Sequence, residues 1–220
     1  MFTGYSDETV DFFWELRFNN NREWFQPRKE QFNRVIMTPT KALANDLFDW
    51  FTEKYPELHL NCHVSRIYRD ARRLFGRGPY KDHIWFSFAN ATEQREHAPC
   101  FWFELGAEGY RYGMGSWMQA ADAAAFRKLI DRKPEVMTKL AADFDRQTEF
   151  TLGTEPYARA KGHENEILAP WYNSKSIDLH CSRSYDACSY GPELVQRLQD
   201  ACTFLIPYYR FLDEACHLAD

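Results

Sequence analysis

The sequence predicts a single α+β domain over residues 1–220, with an antiparallel sheet in the middle of the chain and helices before and after it. Two observations predict this class: apolar residues recur at helical spacing near both ends, and they alternate with period two in between. A third is the short segment from Gly106 to Gly109, which joins two strand-like runs as a hairpin. No shift in composition marks a domain boundary, so one α+β domain is the simplest reading.

The N-terminal part predicts three helical segments. Ser6 is followed by Asp7 and Glu8, and a hydroxyl followed by two acids is typical of a helix start, where free amides and the positive dipole end lie. The asparagine run 19–21 is expected to end that helix and to begin the next one. Thr38-Pro39 opens the third helix, because proline is well suited to the first helical turn.

Short aromatic and β-branched runs in the middle of the chain predict strands. They cover residues 64–69, 84–89, 101–105 and 110–114. Within the third run, Phe101, Phe103 and Leu105 alternate with Trp102 and Glu104, so one face is more apolar than the other. This pattern indicates a sheet that helices cover on one side.

Helical spacing returns after the hairpin. The predicted segments are a helix from Asp122, a helix from Pro134, a strand over 177–181 and a last helix from Pro192. Pro207 is expected to kink or split the last helix, because proline lacks the N–H that a helix interior needs. Residues 150–175 lack clean periodicity and are predicted to form a long ordered loop.

Composition limits the functional classes. The chain has 27 basic and 32 acidic residues, a net charge of -5, which argues against a general nucleic-acid or anionic-membrane binder. No apolar run approaches the roughly 20 residues of a membrane span, and the polar N-terminus does not resemble a secretory signal. The six cysteines are scattered, as in a reducing compartment, so a cytoplasmic location is predicted.

The most unusual window is 66–81, which is strongly basic in an acidic chain. It holds six cations against Asp70 alone: Arg66, Arg69, Arg72, Arg73, Arg77 and Lys81. Guanidiniums concentrated on a glycine-containing loop can converge on a phosphate or carboxylate. A solvated strand and turn whose arginines pair with neighbouring acids would give the same pattern, so both interpretations stay open.

Several motifs resemble one known family. They are residues 20–25 (NNREWF), 65–70 (SRIYRD) and 78–81 (GPYK), with 113–117, 156–159 and 171–175 further on. Through most of its length the chain resembles the conserved hypothetical family called domain of unknown function 2461. The resemblance implies no activity, because the family has none assigned. Where relatives often carry a segment like Phe-Ser-Lys-Asp-Lys, this chain has residues 73–78 (RLFGRG), which weakens any role for the inner basic positions.

The sequence contains no recognisable motif for binding a metal or a cofactor. The densest candidate ligands are His59, Cys62 and His63, then His180, Cys181 and Cys188, and neither group has zinc-site spacing. Gly113-Met114-Gly115 lacks the third glycine and the βαβ unit of a dinucleotide site, so a tight bend from sheet to helix is expected there. We therefore predict no metal and no cofactor.

These observations predict a pocket for a small phosphorylated or carboxylated ligand. Its candidate binding residues are Arg66, Arg69, Asp70, Arg73, Tyr80 and Lys81, together with Arg159 and Lys175. General acid–base chemistry could come from Asp70, Tyr80, His83 or Glu104, although adjacency in sequence identifies no catalytic residue. The alternative is a protein- or nucleic-acid-interaction module without catalytic activity, in which the basic loop is a recognition patch.

Overall fold

A computed structural model describes residues 1–70, 72, 74, 76–90 and 98–218. The N-terminal helices are α1 (Asp7–Phe18), α2 (Arg22–Phe25), α3 (Lys29–Phe32) and α4 (Thr38–Lys54). Short 3-10 turns cover Gln26–Arg28 and Pro56–Leu58, and a π turn covers Asn33–Met37. The predicted helix start at Ser6-Asp7 is confirmed. α4 begins at Thr38 with Pro39 in its first turn, but Thr38 is not a cap, because it follows the π turn directly and has helical backbone angles itself.

A six-stranded antiparallel sheet occupies the middle of the chain, as predicted. Its strands are β1 (Leu60–Val64), β2 (His83–Asn90), β3 (Cys100–Gly106), β4 (Gly109–Ser116), β5 (Thr151–Pro156) and β6 (Ser174–Arg183), in the order β1-β2-β3-β4-β6-β5. The remaining helices are α5 (Ala120–Arg132), α6 (Pro134–Asp145), α7 (Ala169–Tyr172) and α8 (Glu193–Cys216). Among the described residues, none of these helices combines the length and apolar character of a membrane span.

Two compact units make up the chain. The first comprises Met1–Phe88, Trp102–Tyr112 and Ser182–Asp200, and the second comprises Ala89–Phe101, Gly113–Cys181 and Ala201–Asp220. In the first unit, side chains of β2 and β3 alternate between buried and half-buried positions. Phe86 and Phe103 are each 1% exposed and stack with ring centroids 5.1 Å apart, which defines the covered face of the sheet.

The core of the second unit is built by helices. Phe144 of α6 meets Trp171 of α7 edge to face, with centroids 5.4 Å apart, and both rings contact Tyr208 of α8. The Tyr208 hydroxyl donates to the carbonyl of Leu140 at 2.9 Å, so this buried phenol has a hydrogen-bond partner. These rings join α6, α7 and α8 into one apolar cluster.

Three local predictions need correction. The run 64–69 is not a regular strand: β1 ends at Val64, and Tyr68 forms an isolated antiparallel bridge with Tyr80. The segment 150–175, predicted to be a loop, contains the strand β5. This strand is held by backbone hydrogen bonds to β6, so its side chains do not need to alternate between apolar and polar. Pro207 does not split the last helix, one of the two outcomes expected there, because it lies inside the continuous α8.

The glycines of the Gly113-Met114-Gly115 motif lie within a strand rather than at a bend. A Cβ atom on Gly113 would be 2.1 Å from the carbonyl oxygen of Leu179, and one on Gly115 would be 2.6 Å from that of Ile177. These positions in β4 therefore lack side chains because the backbone of β6 passes too close.

Candidate functional site

A polar cleft of about 480 Å³ lies in the first unit at the hairpin end of β3 and β4. We call it the hairpin cleft; its walls are Arg17, residues 82–83, Glu104, residues 106–111 and residues 182–184. The walls combine arginines with carboxylates and one histidine, His83. Its chemistry depends on which of these charges are already paired.

Asp82 is the most connected acid of the hairpin cleft. One carboxylate oxygen lies 3.3 Å from Nη2 of Arg69 and 3.2 Å from Nδ1 of His83, and the other lies 3.6 Å from Nε of Arg17. Partial burial opposes ionisation, but hydrogen bonds and the charges of His83 and Arg69 outweigh it and hold the pKa of Asp82 below its ordinary value. Asp82 is therefore an ionised anchor for three cationic or potentially cationic groups.

His83 has one nitrogen engaged and one available. Its Nδ1 faces Asp82, whereas its Nε2 lies 3.9 Å from Oε2 of Glu104, too far for a hydrogen bond. About a third of the side chain is exposed. An imidazole oriented by a carboxylate through one nitrogen can exchange a proton through the other.

Arg111 differs from Arg17 in its pairing. Arg17 donates to Oε1 of Glu108 at 2.8 Å and also approaches Asp82. Nε of Arg111 donates to Oγ of Ser182 at 3.2 Å, and its guanidinium carbon lies 5.5 Å from the centroid of the Trp102 ring. Within the described part of the chain, no carboxylate forms an ion pair with Arg111.

Several predicted residues of the basic loop have internal roles. Arg69 is 16% exposed and donates from Nε to the carbonyl of Tyr80 at 2.7 Å, besides pairing with Asp82. Tyr80 is fully buried, with its ring centroid 4.1 Å from that of Phe25. The ammonium of Lys81 lies 5.7 Å from the Trp85 ring, and burial, with a contribution from Arg69, lowers its pKa.

The other loop residues lie nearer the surface. Arg72 donates from Nε and Nη2 to the two carboxylate oxygens of Asp70, at 3.1 and 2.9 Å. Arg66 is exposed and makes no ion pair with any described residue. Arg73 lies outside the described residues. Arg69 and Arg72 therefore pair with acids and Arg66 faces solvent, as the interpretation without a ligand expects, and the anion site in this loop stays a prediction.

Arg159 and Lys175 belong to the second unit, whereas the basic loop belongs to the first. Arg159 is exposed, and Nζ of Lys175 lies 3.1 Å from Oε1 of Glu155 and 5.9 Å from the Tyr157 ring centroid. The prediction that these two cations share a pocket with the basic loop stays a prediction.

The sequence reasoning missed Arg17, Asp82 and Arg111 as site residues, although it weighed His83 and Glu104. A signal for Arg111 was present: with Gly106 and Gly109 flanking the turn, Arg111 and Glu104 fall opposite each other on adjacent strands. No sequence signal places Arg17, because a basic residue in the last helical turn is common.

The comparisons identify a family but no function. No group of three or more His, Cys, Asp or Glu side chains in the described ranges is arranged to hold a metal ion. No curated protein matches the chain. The family model of the conserved hypothetical protein DUF2461 matches residues 8–211, which is most of the chain and spans both units. The chain therefore belongs to the DUF2461 family.

Proposed function

We propose that the protein binds a small phosphorylated or carboxylated ligand in the hairpin cleft. The observation that carries this proposal is Arg111, a wall residue that forms no ion pair with a described carboxylate, although Glu104 and Glu108 line the same cleft. A planar guanidinium binds carboxylate and phosphate oxygens through two parallel hydrogen bonds, which makes arginine the usual choice for such anions.

The position of Arg111 supports this role. Ser182 holds Nε and the indole of Trp102 covers one side of the guanidinium, so much of the side-chain freedom is already restricted before a ligand arrives. A restricted side chain loses less conformational entropy on binding, and more of the interaction energy appears as affinity. The remaining terminal nitrogens of Arg111 are the donors we assign to the ligand.

The hairpin cleft also holds a group that can move a proton. His83 is oriented by Asp82 and keeps Nε2 free of hydrogen bonds to the described residues. A bound anion next to an oriented imidazole is the arrangement that general acid–base catalysis requires. Turnover of the ligand is therefore part of the proposal, with His83 as the proton carrier.

A thermal-unfolding screen tests the proposal. The wild type is melted with inorganic phosphate, sugar phosphates, dicarboxylates and short oligonucleotides at low and high salt. Arg111→Glu is melted beside it, with Arg22→Glu as the control, because Arg22 is an exposed arginine outside the hairpin cleft. At about 100 times its dissociation constant a ligand shifts the midpoint by roughly 5 to 10 °C. We expect such a shift for the wild type and Arg22→Glu, and none for Arg111→Glu.

Two other results would redirect the proposal. A shift that Arg111→Glu retains would place the anion elsewhere, and the double variant Arg159→Glu, Lys175→Glu then asks whether those cations bind it. A shift seen only with oligonucleotides and only at low salt would support the interaction module, because binding to a phosphate backbone weakens steeply with salt.

A cytoplasmic location is the second part of the proposal. All six cysteines are free thiols, three of them buried and three partly buried. Free thiols persist in a reducing compartment, and disulfides are rare there. Fractionation of cells that express the full chain checks the location directly.

A further inference from the structure

The open face of the sheet carries tryptophans beside the hairpin cleft. Phe86 and Phe103 lie on the covered face, and side chains alternate along β2 and β3. Trp85 and Trp102, each next to one of these phenylalanines in sequence, therefore lie on the opposite face. Both indoles are partly exposed, so the face next to the hairpin cleft presents aromatic surface to solvent.

Each of these indoles has a cation near its ring. The ammonium of Lys81 is 5.7 Å from the centroid of Trp85, and the guanidinium carbon of Arg111 is 5.5 Å from that of Trp102. Cations at such distances from an indole are attracted by the negative face of the ring. Each tryptophan on the open face of the sheet therefore has a positive charge beside its ring.

The Trp102–Arg111 pair can recognise a ring as well as an anion. The guanidinium carbon of Arg111 lies over the Trp102 ring, 5.5 Å from its centroid, and the planar group has a second face on the side away from that ring. A planar ligand ring can stack on the second face while its acidic group accepts hydrogen bonds from the terminal nitrogens of Arg111. The volume of about 480 Å³ lies within the range of small-molecule sites.

We infer that the ligand of the hairpin cleft is a planar ring compound that carries a phosphate or carboxylate, as a nucleoside monophosphate or an aromatic acid does. This inference rests on the proposed function and adds the class of ligand to it. The planar face of Arg111 sets the preference for a ring, Trp102 holds that face from the side away from the ligand, and the charge of Arg111 sets the preference for an anion.

Matched ligand pairs separate the two preferences. Binding of adenosine monophosphate and ribose 5-phosphate, and of benzoate and acetate, is measured by isothermal titration calorimetry. For the wild type we expect the ring-bearing member to bind roughly ten-fold more tightly in at least one pair, since stacking of one base contributes about that much. Trp102→Leu removes the indole that holds the guanidinium plane of Arg111, so it should lower this ratio toward one while changing the affinity for the ring-free member by less than roughly two-fold.

Two further variants keep the result interpretable. Arg111→Lys keeps the charge but removes the planar face and the paired donors, so it should lose the preference for the ring and bind the ring-free anion more weakly but still measurably. Trp24→Leu is the matched control, because Trp24 also has an arginine over its ring, Arg28 at 4.7 Å, but this arginine, unlike Arg111, does not line the hairpin cleft. This control should keep the wild-type ratio.

The possible results separate the ring preference from the proposed anion site. Equal affinities within both pairs, or an unchanged ratio in Trp102→Leu and Arg111→Lys, would overturn the ring preference and leave the anion site intact. Binding of neither member of either pair would overturn the inference together with the proposed function. If Trp102→Leu does not fold, Arg111→Lys decides between these outcomes.

Discussion

The side-chain amide of Asn20 makes two hydrogen bonds with the backbone of Tyr80. Nδ2 of Asn20 donates to the carbonyl of Tyr80 at 2.9 Å, and Oδ1 accepts from its N–H at 3.0 Å. The same carbonyl accepts from Nε of Arg69 at 2.7 Å. These hydrogen bonds hold Tyr80, at the end of the basic loop, against the segment that follows α1. Lys81, Asp82 and His83 follow Tyr80 directly, so Asn20 also helps to position the cleft residues Asp82 and His83.

Replacement of Asn20 by alanine should destabilise the protein. Both backbone groups of Tyr80 would lose a partner in a partly buried place, which costs roughly 1 to 3 kcal/mol in the free energy of unfolding. Urea unfolding measures the loss. The control is Asn19→Ala, whose exposed amide bonds only to the carbonyl of Glu15 within its own helix end and should change stability by about 0.5 kcal/mol or less. Equal losses for the two variants would contradict the role assigned to Asn20.

Gly78 and Asn20 should be energetically coupled. A Cβ atom on Gly78 would lie 2.3 Å from Cγ and 2.4 Å from the backbone oxygen of Asn20, so Gly78→Ala should cost roughly 1 to 3 kcal/mol through overpacking. Asn20→Ala removes part of that clash, and the double variant should therefore lose less stability than the two single losses combined. Additive losses, within about 0.5 kcal/mol, would show that the two residues do not interact.

Asp186 should make stability depend on acid pH. Partial burial raises its pKa, but hydrogen bonds from Arg197, Ser189 and Tyr110 and the charge of Arg197 outweigh burial, so the pKa lies below the ordinary value of 3.8. A carboxyl with a depressed pKa contributes stability that is fully present above 3.8 and is lost as the pH falls through the lower folded-state pKa. The Arg197–Asp186 contact, at 2.6 Å, is the main partner.

Asp186→Asn tests this pH dependence by urea unfolding at pH 7, 5 and 3. The variant should be less stable than the wild type at pH 7 and 5, and the difference should shrink at pH 3, where the wild type also begins to lose the charge. Asp49→Asn, an exposed position in α4, serves as the control and should show no such trend. A constant difference at all three pH values would mean that the ionised form of Asp186 contributes nothing.

The sequence predicted those elements that local chemistry specifies. Ser6 with two following acids precedes α1, and Pro39 lies in the first turn of α4, because helix-start residues and proline in the first turn act within one helical turn. β5 was not predicted, because its strand is held by backbone pairing with β6 and because Gly153 and Pro156 are residue types typical of loops. Backbone pairing with a distant strand does not require apolar residues to alternate along a segment, so the sequence of that segment alone does not reveal the strand.

Only those residues of the candidate site that are neighbours in the sequence could be predicted together. His83 follows the basic loop in sequence and Glu104 lies on the predicted hairpin, but the hairpin cleft exists only when these residues meet Arg17 and residues 182–184 in the folded chain. The basic loop looked like the site because its charges are adjacent in sequence. Once folded, Arg69 uses its donors on Tyr80 and Asp82, and Arg111, isolated in sequence, keeps its terminal nitrogens free of ion pairs with the described residues.

Cys100 should react slowly with alkylating reagents in the folded protein. Burial, together with the charge of Asp178, raises the pKa of its thiol from the ordinary 9.0 to about 11. The thiolate is the reactive form, so a pKa two units higher lowers the labelling rate at pH 8 roughly 100-fold relative to the unfolded chain. Iodoacetamide labelling followed by peptide mass spectrometry gives the rate for each cysteine, with the urea-unfolded chain as reference.

The neighbouring carboxylate provides the decisive variant. Asp178→Asn removes the negative charge that disfavours the Cys100 thiolate, so it should speed labelling of Cys100 and leave Cys202 protected, because burial alone raises the pKa of Cys202. Each pH unit between 8 and 10 should increase the Cys100 rate about ten-fold, since the thiolate fraction rises by that factor below the pKa. Labelling of Cys100 at the rate of the unfolded chain would show that its thiol is neither buried nor influenced by Asp178.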